Sequence, residues 1–423
     1  MRKYLFLILF VFSLISCKQK TLDNNTVNPD VIQFGQVDSL YSNILEESRK
    51  IWVYIPESFA RIGENKKYPV LYLLDGDGHY YSVSGMIRQL SVVNGNTILP
   101  EMIVVAITNT NRNRDLTPTH VDIDFFTGDS ISYDSGGGDK FLNFIENELV
   151  PYIEKNYPAS SYRTFVGHSF GGLSVINALT NKPYLFNNYI AIDPSLWWDN
   201  MAFKNYADSI LKTDNFKDKA LYVAIANTME DGMDIQNVQN DTTENTAHIR
   251  SILSFVKSLE NDKTNNLDFK WKYYNNDDHG SVPMIAEYDG LRYLFRWHSF
   301  KGINQIINSA SKMTAEELIE LPVAHFEEVS KHFGFEVLPA EELINGIGYY
   351  LLGEKMPEKA TVFFDLNIKN YPNSPNVYDS RGDCYLATGD SLQALDFFNK
   401  ALKLEDLEVY RDKIKKLEEN IKK

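Results

Sequence analysis

The chain has 423 residues, with 42 Lys and Arg against 57 Asp and Glu and a formal charge of −15. That length exceeds what one core usually fills, so two or three domains are expected. An acidic balance offers no basic face to a phosphate backbone, which speaks against nucleic acid as a partner.

Residues 1–16 start with Arg2 and Lys3, continue as a short apolar run and end in Leu14-Ile15-Ser16 before Cys17. A basic start, an apolar stretch too short to span a bilayer and small residues at its end make a secretory leader. The last four positions resemble the bacterial lipoprotein signal. This implies cleavage before Cys17, lipidation of its thiol and a membrane partner through that lipid. Lys18 supplies no acidic retention signal, so the expected place is the cell envelope, at the outer membrane. Residues 17–30 are polar and unpatterned, a tether on which no fold is imposed. With Cys17 lipidated, Cys384 has no disulfide partner and suits a buried thiol in an apolar helical pattern.

Residues 31–303 alternate strands with helices. Ser48–Pro56 is a strand closed by proline, and Tyr68–Leu74 and Glu101–Ile107 are near-continuous apolar runs, the mark of strands buried on both faces. Helical spacing covers His79–Val93 and Asp139–Tyr157, while Asn109–Gly138 is a long polar loop of the kind that tends to be functional. Tyr162–Val166 runs into Gly167-His-Ser-Phe-Gly171, and strands follow at Asn188–Ile192, Ala220–Ala226 and Leu267–Tyr274. The fold class is therefore α/β, a mostly parallel sheet with helices on both faces. Residues 304–423 carry helical patterning only, a smaller all-α domain. Within it Gly348, Leu352, Ala360, Phe363 and Phe364 recur as Gly382, Leu386, Ala394, Phe397 and Phe398. That period of about 34 residues is the tetratricopeptide spacing. It gives two units, about 341–374 and 375–408, with a capping helix at Leu407–Lys423 and a possible role in docking a protein partner.

Gly-x-Ser-x-Gly between a strand and a helix is a sharp turn whose small flanking residues leave the hydroxyl exposed, so Ser169 is the candidate nucleophile. A serine needs a base oriented by a third group. His279, in the polar turn Asp277–Gly280 after the last strand, is the expected base. His248 and His298 fall in helical patterns, His168 points away from the serine's side, and His79 and His120 precede the serine. Glu230 is the expected acid, with Asp231 the alternative, both just past Ala220–Ala226. The backbone N–H groups of Phe170 and of Asp77, in the turn Asp75–Gly78, are expected to form the oxyanion hole. No CxxC, HExxH or GxxxxGK[ST] motif occurs, so no cofactor, zinc or nucleotide is implied.

Taken together, Val70–Gly76, Arg112–Pro118, Gly167–Gly172, Asp193-Pro-Ser-Leu-Trp-Trp198 and His279–Pro283 resemble the esterase family of α/β-hydrolases. That family includes the enterochelin and salmochelin esterases, S-formylglutathione hydrolase (esterase D), feruloyl esterases and mycobacterial mycolyltransferases. The Pro-Ser-x-Trp-Trp run is similar to the siderophore-esterase branch. The resemblance implies Ser169 as nucleophile, His279 as base and Arg114 as a substrate contact, with Trp197 and Trp198 beside a bulky acyl group. The chain departs from that branch at Asp193, where serine is common, and matches its acid region, Asn227–Glu230, only loosely. The expected function is a serine carboxylic-ester hydrolase acting through an acyl-enzyme on a bulky extracytoplasmic ester such as a siderophore. A feruloyl or acetyl carbohydrate esterase, an acyltransferase and a non-catalytic scaffold binding partners through the repeats are the alternatives.

Overall fold

The computed structural model describes residues 34–62, 66–261, 264–308 and 312–421. The expected leader, lipidation site at Cys17 and tether lie outside the described residues. Among those described, eight strands form one sheet: β1 (Gln36–Ser42), β2 (Glu47–Tyr54), β3 (Tyr68–Leu73), β4 (Ile103–Ile107), β5 (Ala159–His168), β6 (Asn188–Ile192), β7 (Ala220–Ala226) and β8 (Asp268–Tyr274). Their order is β1-β2-β4-β3-β5-β6-β7-β8. β2 pairs antiparallel with β1 and β4, and every pairing from β4 to β8 is parallel. Every residue of β3, β4, β6 and β7 is buried, as expected for strands covered by crossover helices on both faces. β8 forms one edge and reverts to alternation.

One face is covered by α1 (Gly76–Ser91) and, after the chain has crossed the sheet, by α5 (Val282–Leu294). Their residues Val83, Ile87, Ala286 and Leu291 pack on Leu71, Leu73, Ile190 and Tyr222. The other face carries α2 (Phe170–Asn181), α3 (Ala202–Thr213), α4 (Ala247–Asn261) and the helical run 138–156, whose apolar sides close over Tyr72, Phe165 and Tyr189. The run 138–156 widens to a π-type turn at Ile145–Leu149, just before Pro151. Proline has no N–H to return to the preceding turn, so a local change of hydrogen-bond register fits its presence.

Beyond α5 the described chain contains helices only. The first long one, α6 (Ala315–Phe333), opens with a capping box between Thr314 and Glu317 and joins the two parts. Its end, Val329 and Phe333, belongs to the sheet's core, with the Phe333 ring 4.9 Å from that of Tyr162. Its start, Leu318, packs with α7 (Glu341–Gly353) and α8 (Pro357–Asn370). A second hairpin, α9 (Pro375–Ala387) and α10 (Ser391–Leu404), is followed by α11 (Glu408–Ile421). The two hairpins use the same contact. A Cβ on Gly348 would sit 2.7 Å from the Phe364 ring, and one on Gly382 would sit 2.5 Å from the Phe398 ring. Glycine lets each helix pair close on a phenylalanine at the same register, 34 residues apart. Cys384 is fully buried beside them.

Candidate active site

β5 ends at His168 and α2 begins at Phe170, so Ser169 alone makes the turn, at φ 60° and ψ −117°. Few non-glycine residues tolerate that conformation, which persists only where the surroundings enforce it. Here the Ser169 N–H donates to the Ile192 carbonyl (2.9 Å), and its carbonyl accepts from the N–H groups of Leu173 and Ser195 (3.0 and 3.1 Å). The crossing also demands glycine, since a Cβ on Gly167 would lie 2.4 Å from the backbone of Gly171. The Ser169 hydroxyl pairs with that of Ser195 at 3.2 Å.

β6 ends one residue before Asp193, another non-glycine residue at positive φ (42°). Its carboxylate is fully buried. Oδ1 accepts the Ala226 N–H (2.9 Å), and Oδ2 accepts from two imidazoles at once, His279 Nδ1 at 2.6 Å and His248 Nε2 at 2.7 Å. Burial pushes this carboxyl up, but the charge and hydrogen bond of His248, the bond from His279 and the Ala226 N–H outweigh it and hold it well below the usual carboxylate range. An ionised carboxylate only accepts, so His279 carries its proton on Nδ1 and presents a lone pair at Nε2 when neutral. The His279 ring lies 4.4 Å, centroid to centroid, from that of His168, the residue before the serine. Burial, and then the charge of His279, push His168 down to about 4.

The structure thus puts Asp193, and neither Glu230 nor Asp231, on the candidate base. Glu230 is exposed and accepts from Asn245 Nδ2 at 2.7 Å, and Asp231 is exposed beside it. After β7 the Asn227 N–H is held by the Asp277 carbonyl, and the turn that follows carries both acids out to solvent. His248 is the residue that sequence reasoning missed. Its helical setting is real, at the start of α4, and that helix start points it at Asp193. Asp193, His248 and His279 offer ligand atoms within 4.8 Å of one another. Their 2.6 and 2.7 Å contacts are N–H···O distances, shorter than the ~3.3 Å between neighbouring ligands of a tetrahedral zinc with bonds of about 2.0–2.1 Å.

Phe170 and Asp77 both sit in the first turn of a helix, where backbone N–H groups have no intrahelical acceptor. The turn at Asp75 (φ 50°) is held by Arg112, which donates to Asp75 Oδ1 and Oδ2 at 2.6 and 2.9 Å and to the His168 carbonyl at 3.3 Å. Arg112 also lies 5.5 Å from the centre of the Phe170 ring. Arg114, expected as the substrate contact, is engaged elsewhere. It bonds Glu47 at 2.7 Å and Asp115 at 2.7 Å, and the buried Arg49 bonds the same two carboxylates. That cluster ties the base of the long loop to β2, whereas Arg112 is the arginine at the serine turn.

The two tryptophans part company. Trp198 is buried, and its indole N–H donates to the Thr119 carbonyl at 3.1 Å, pinning the long loop. Trp197 is half-buried, with the rings of Phe126 and Phe125 at 4.6 and 5.6 Å. Loop residues 117–137 therefore bring an aromatic wall to the side of Phe170, whose ring is 6.1 Å from Trp197.

A family profile described as Putative esterase matches residues 42–309. Ferri-bacillibactin esterase BesA of Bacillus subtilis (strain 168) is 33% identical over 159 residues, which are 35% of this chain and 53% of that protein. The chain thus spans about half the length of this curated relative. Among solved structures, an IroE-like serine hydrolase from Shewanella oneidensis superposes with a TM-score of 0.65 at 30% identity, over 79% of this chain and 98% of that one. An uncharacterised protein from Capnocytophaga ochracea DSM 7271 shares the fold over 90% of this chain and 99% of its own (TM-score 0.59, 17% identity). The profile covers well over half of the chain and takes in Ser169, Asp193 and His279 alike, so this protein belongs to the esterase family.

Proposed function

We propose that the protein is a serine carboxylic-ester hydrolase with Ser169 as nucleophile, His279 as base and Asp193 as the acid that orients it. The observation that carries this reading is the 2.6 Å bond from His279 Nδ1 to the buried Asp193, at the sheet edge where Ser169 makes its strained turn. Ser169 shares no hydrogen bond with His279 in this structure and pairs instead with Ser195. Catalytic hydrogen bonds are often long or unmade before substrate arrives, and the reading requires Ser169 Oγ to leave Ser195 for His279 Nε2. In the reaction Ser169 Oγ adds to the ester carbonyl as its proton passes to His279 Nε2. The oxyanion faces the N–H groups of Phe170 and Asp77. Collapse expels the alcohol, which takes the proton from His279, and water then hydrolyses the acyl-enzyme by the same route.

The substrate class we assign is a siderophore-like ester, supported by the siderophore enterobactin esterase of Emericella nidulans among its relatives. The Trp197–Phe126 wall suits aromatic acyl groups, and Arg112, partly exposed beside Phe170, suits an anionic one. We further read the protein as a lipid-anchored envelope protein through Cys17, with tetratricopeptide-like hairpins at its end. Hydrolysis of a panel of siderophore, feruloyl, acetyl and thioester substrates tests the assignment. Ser169→Ala should remove activity on whichever ester is turned over, together with labelling by a fluorophosphonate. Unchanged hydrolysis by that variant would remove Ser169 from the mechanism.

A further inference from the structure

At the sheet edge opposite the serine turn, a groove of about 470 Å³ lies between β8 and the end of α5. α5 packs on β6 and β7, where Gly290 sits against Ile190 and Tyr222, and leaves one face of β8 uncovered. Alternation along β8 puts Lys270 and Lys272 on that face, about 6–7 Å apart. Arg292 near the end of α5, and Arg296 and Lys301 beyond it, line the other side. The rings of Tyr222 and Tyr293 are part of the same lining. Five cations therefore converge with one lining carboxylate, Asp289, on a chain whose overall charge is −15.

Two of the five are neutralised, Lys272 by Asp289 and Arg296 by Asp268, each at 2.6 Å. Among the described residues no carboxylate pairs with the other three. Lys270 lies over the Tyr293 ring at 5.4 Å, and Arg292 lies over Tyr288 at 5.0 Å and donates to its hydroxyl at 3.3 Å. Protection of an open sheet edge accounts for lysines on β8. It does not account for Arg292, Arg296 and Lys301, which are outside the strand and face the same space. Like charges brought together without counter-charges repel unless an anion joins them.

We propose that this groove binds a soluble polyanion carrying two or more phosphate groups. The two rows of cations match a ligand with several charges, and Arg292 and Arg296 offer planar forks suited to phosphate oxygens. The volume falls within the range of small-molecule sites. A membrane is the poorer occupant, because the apolar lining residues Ile98 and Phe295 are half-buried and buried and leave nothing to insert among acyl chains.

The test is titration of the full chain with tripolyphosphate by calorimetry at physiological salt, beside Lys270→Glu/Arg292→Glu and a control reversal at the exposed Lys416→Glu on α11. Saturable binding is expected, weakened at least tenfold by the double variant and unchanged by the control, with ester hydrolysis the same in all three. Should the double variant lose its circular dichroism or hydrolysis, Lys270→Gln/Arg292→Gln takes its place with the same expected direction. Absence of binding at about 1 mM ligand, equal binding by the charge-reversed or neutral variant, or association only with phosphatidylglycerol vesicles would each overturn the proposal.

Discussion

Asp193→Asn is the perturbation that discriminates best. The side chain is fully buried, and its three hydrogen bonds come from three separate elements: the Ala226 N–H at the end of β7, His248 on α4 and His279 after β8. Asparagine fits the space. With its carbonyl on the Ala226 N–H, its NH₂ group faces both imidazoles, which must then accept. His279 is forced to carry its proton on Nε2, the nitrogen that in the proposed mechanism receives the proton of Ser169. The geometry survives and the tautomer is wrong, a change worth about 10⁴ in kcat in triads of this kind, or roughly 5–6 kcal/mol of barrier. The assay is hydrolysis of a p-nitrophenyl ester, with circular dichroism to show that the variant is folded. Glu230→Gln serves as the comparison, and an exposed acid whose side chain bonds Asn245 should leave kcat within about twofold. If Asp193→Asn stays within about tenfold of the wild type while Glu230→Gln loses the activity, the assignment of the acid fails.

Three further changes test separate parts of the argument. His248→Leu takes one donor from a buried carboxylate and should cost about 1.5–3 kcal/mol of stability, read as a lower midpoint in urea, with His248→Gln recovering part of it through its amide N–H. Gly167→Ala forces a Cβ to within 2.4 Å of the Gly171 backbone, where nothing flexible can yield, and should abolish soluble folded protein, whereas Gly78→Ala, with nothing within 4 Å, should express normally. His168 and His298 are each pushed down to about 4 from an ordinary 6.5, chiefly by burial. The folded protein therefore binds fewer protons than the unfolded chain between those values. Stability should be complete above pH 6.5 and fall as the pH is lowered to 4, by about 3 kcal/mol for each histidine. Urea midpoints across that range should show the decline, and His168→Gln should remove about half of it; a flat profile in the parent chain would contradict the burial of both rings.

The parallel strands were legible because a strand covered on both faces has to be apolar at nearly every position. Asn188–Ile192 and Ala220–Ala226 are read from the sequence with the same ends as in the structure. β1 was less legible. Its residues are mostly exposed or half-buried, so its place at the sheet edge leaves little apolar signal. The repeat in the helical part was visible as spacing alone. The reason for that spacing, a glycine that admits a phenylalanine ring from the partner helix, is a contact between elements that no local pattern states.

The carboxylate beside His279 was missed for a related reason. Position along the chain favours an acid after β7, and Glu230 stands there, but a carboxylate can orient a histidine only from where its oxygen reaches the ring. β6 and β7 are neighbours in a parallel sheet, and their ends come to the same edge within one strand spacing, about 4.8 Å. Either end can therefore supply the carboxylate, and the deciding factor is which one the backbone aims inward. Asp193 leaves β6 at positive φ with its N–H on the Ala224 carbonyl of β7, and this turns the side chain beneath His279. The chain after β7 is tethered differently, the Asn227 N–H donating to the Asp277 carbonyl, and past it the turn carries Glu230 and Asp231 out to solvent. The signal was present in Asp193-Pro194-Ser195, an acid where the resembling esterases often have serine. A buried charge at the edge that bears Ser169 demands partners, and two histidines from distant stretches answer it.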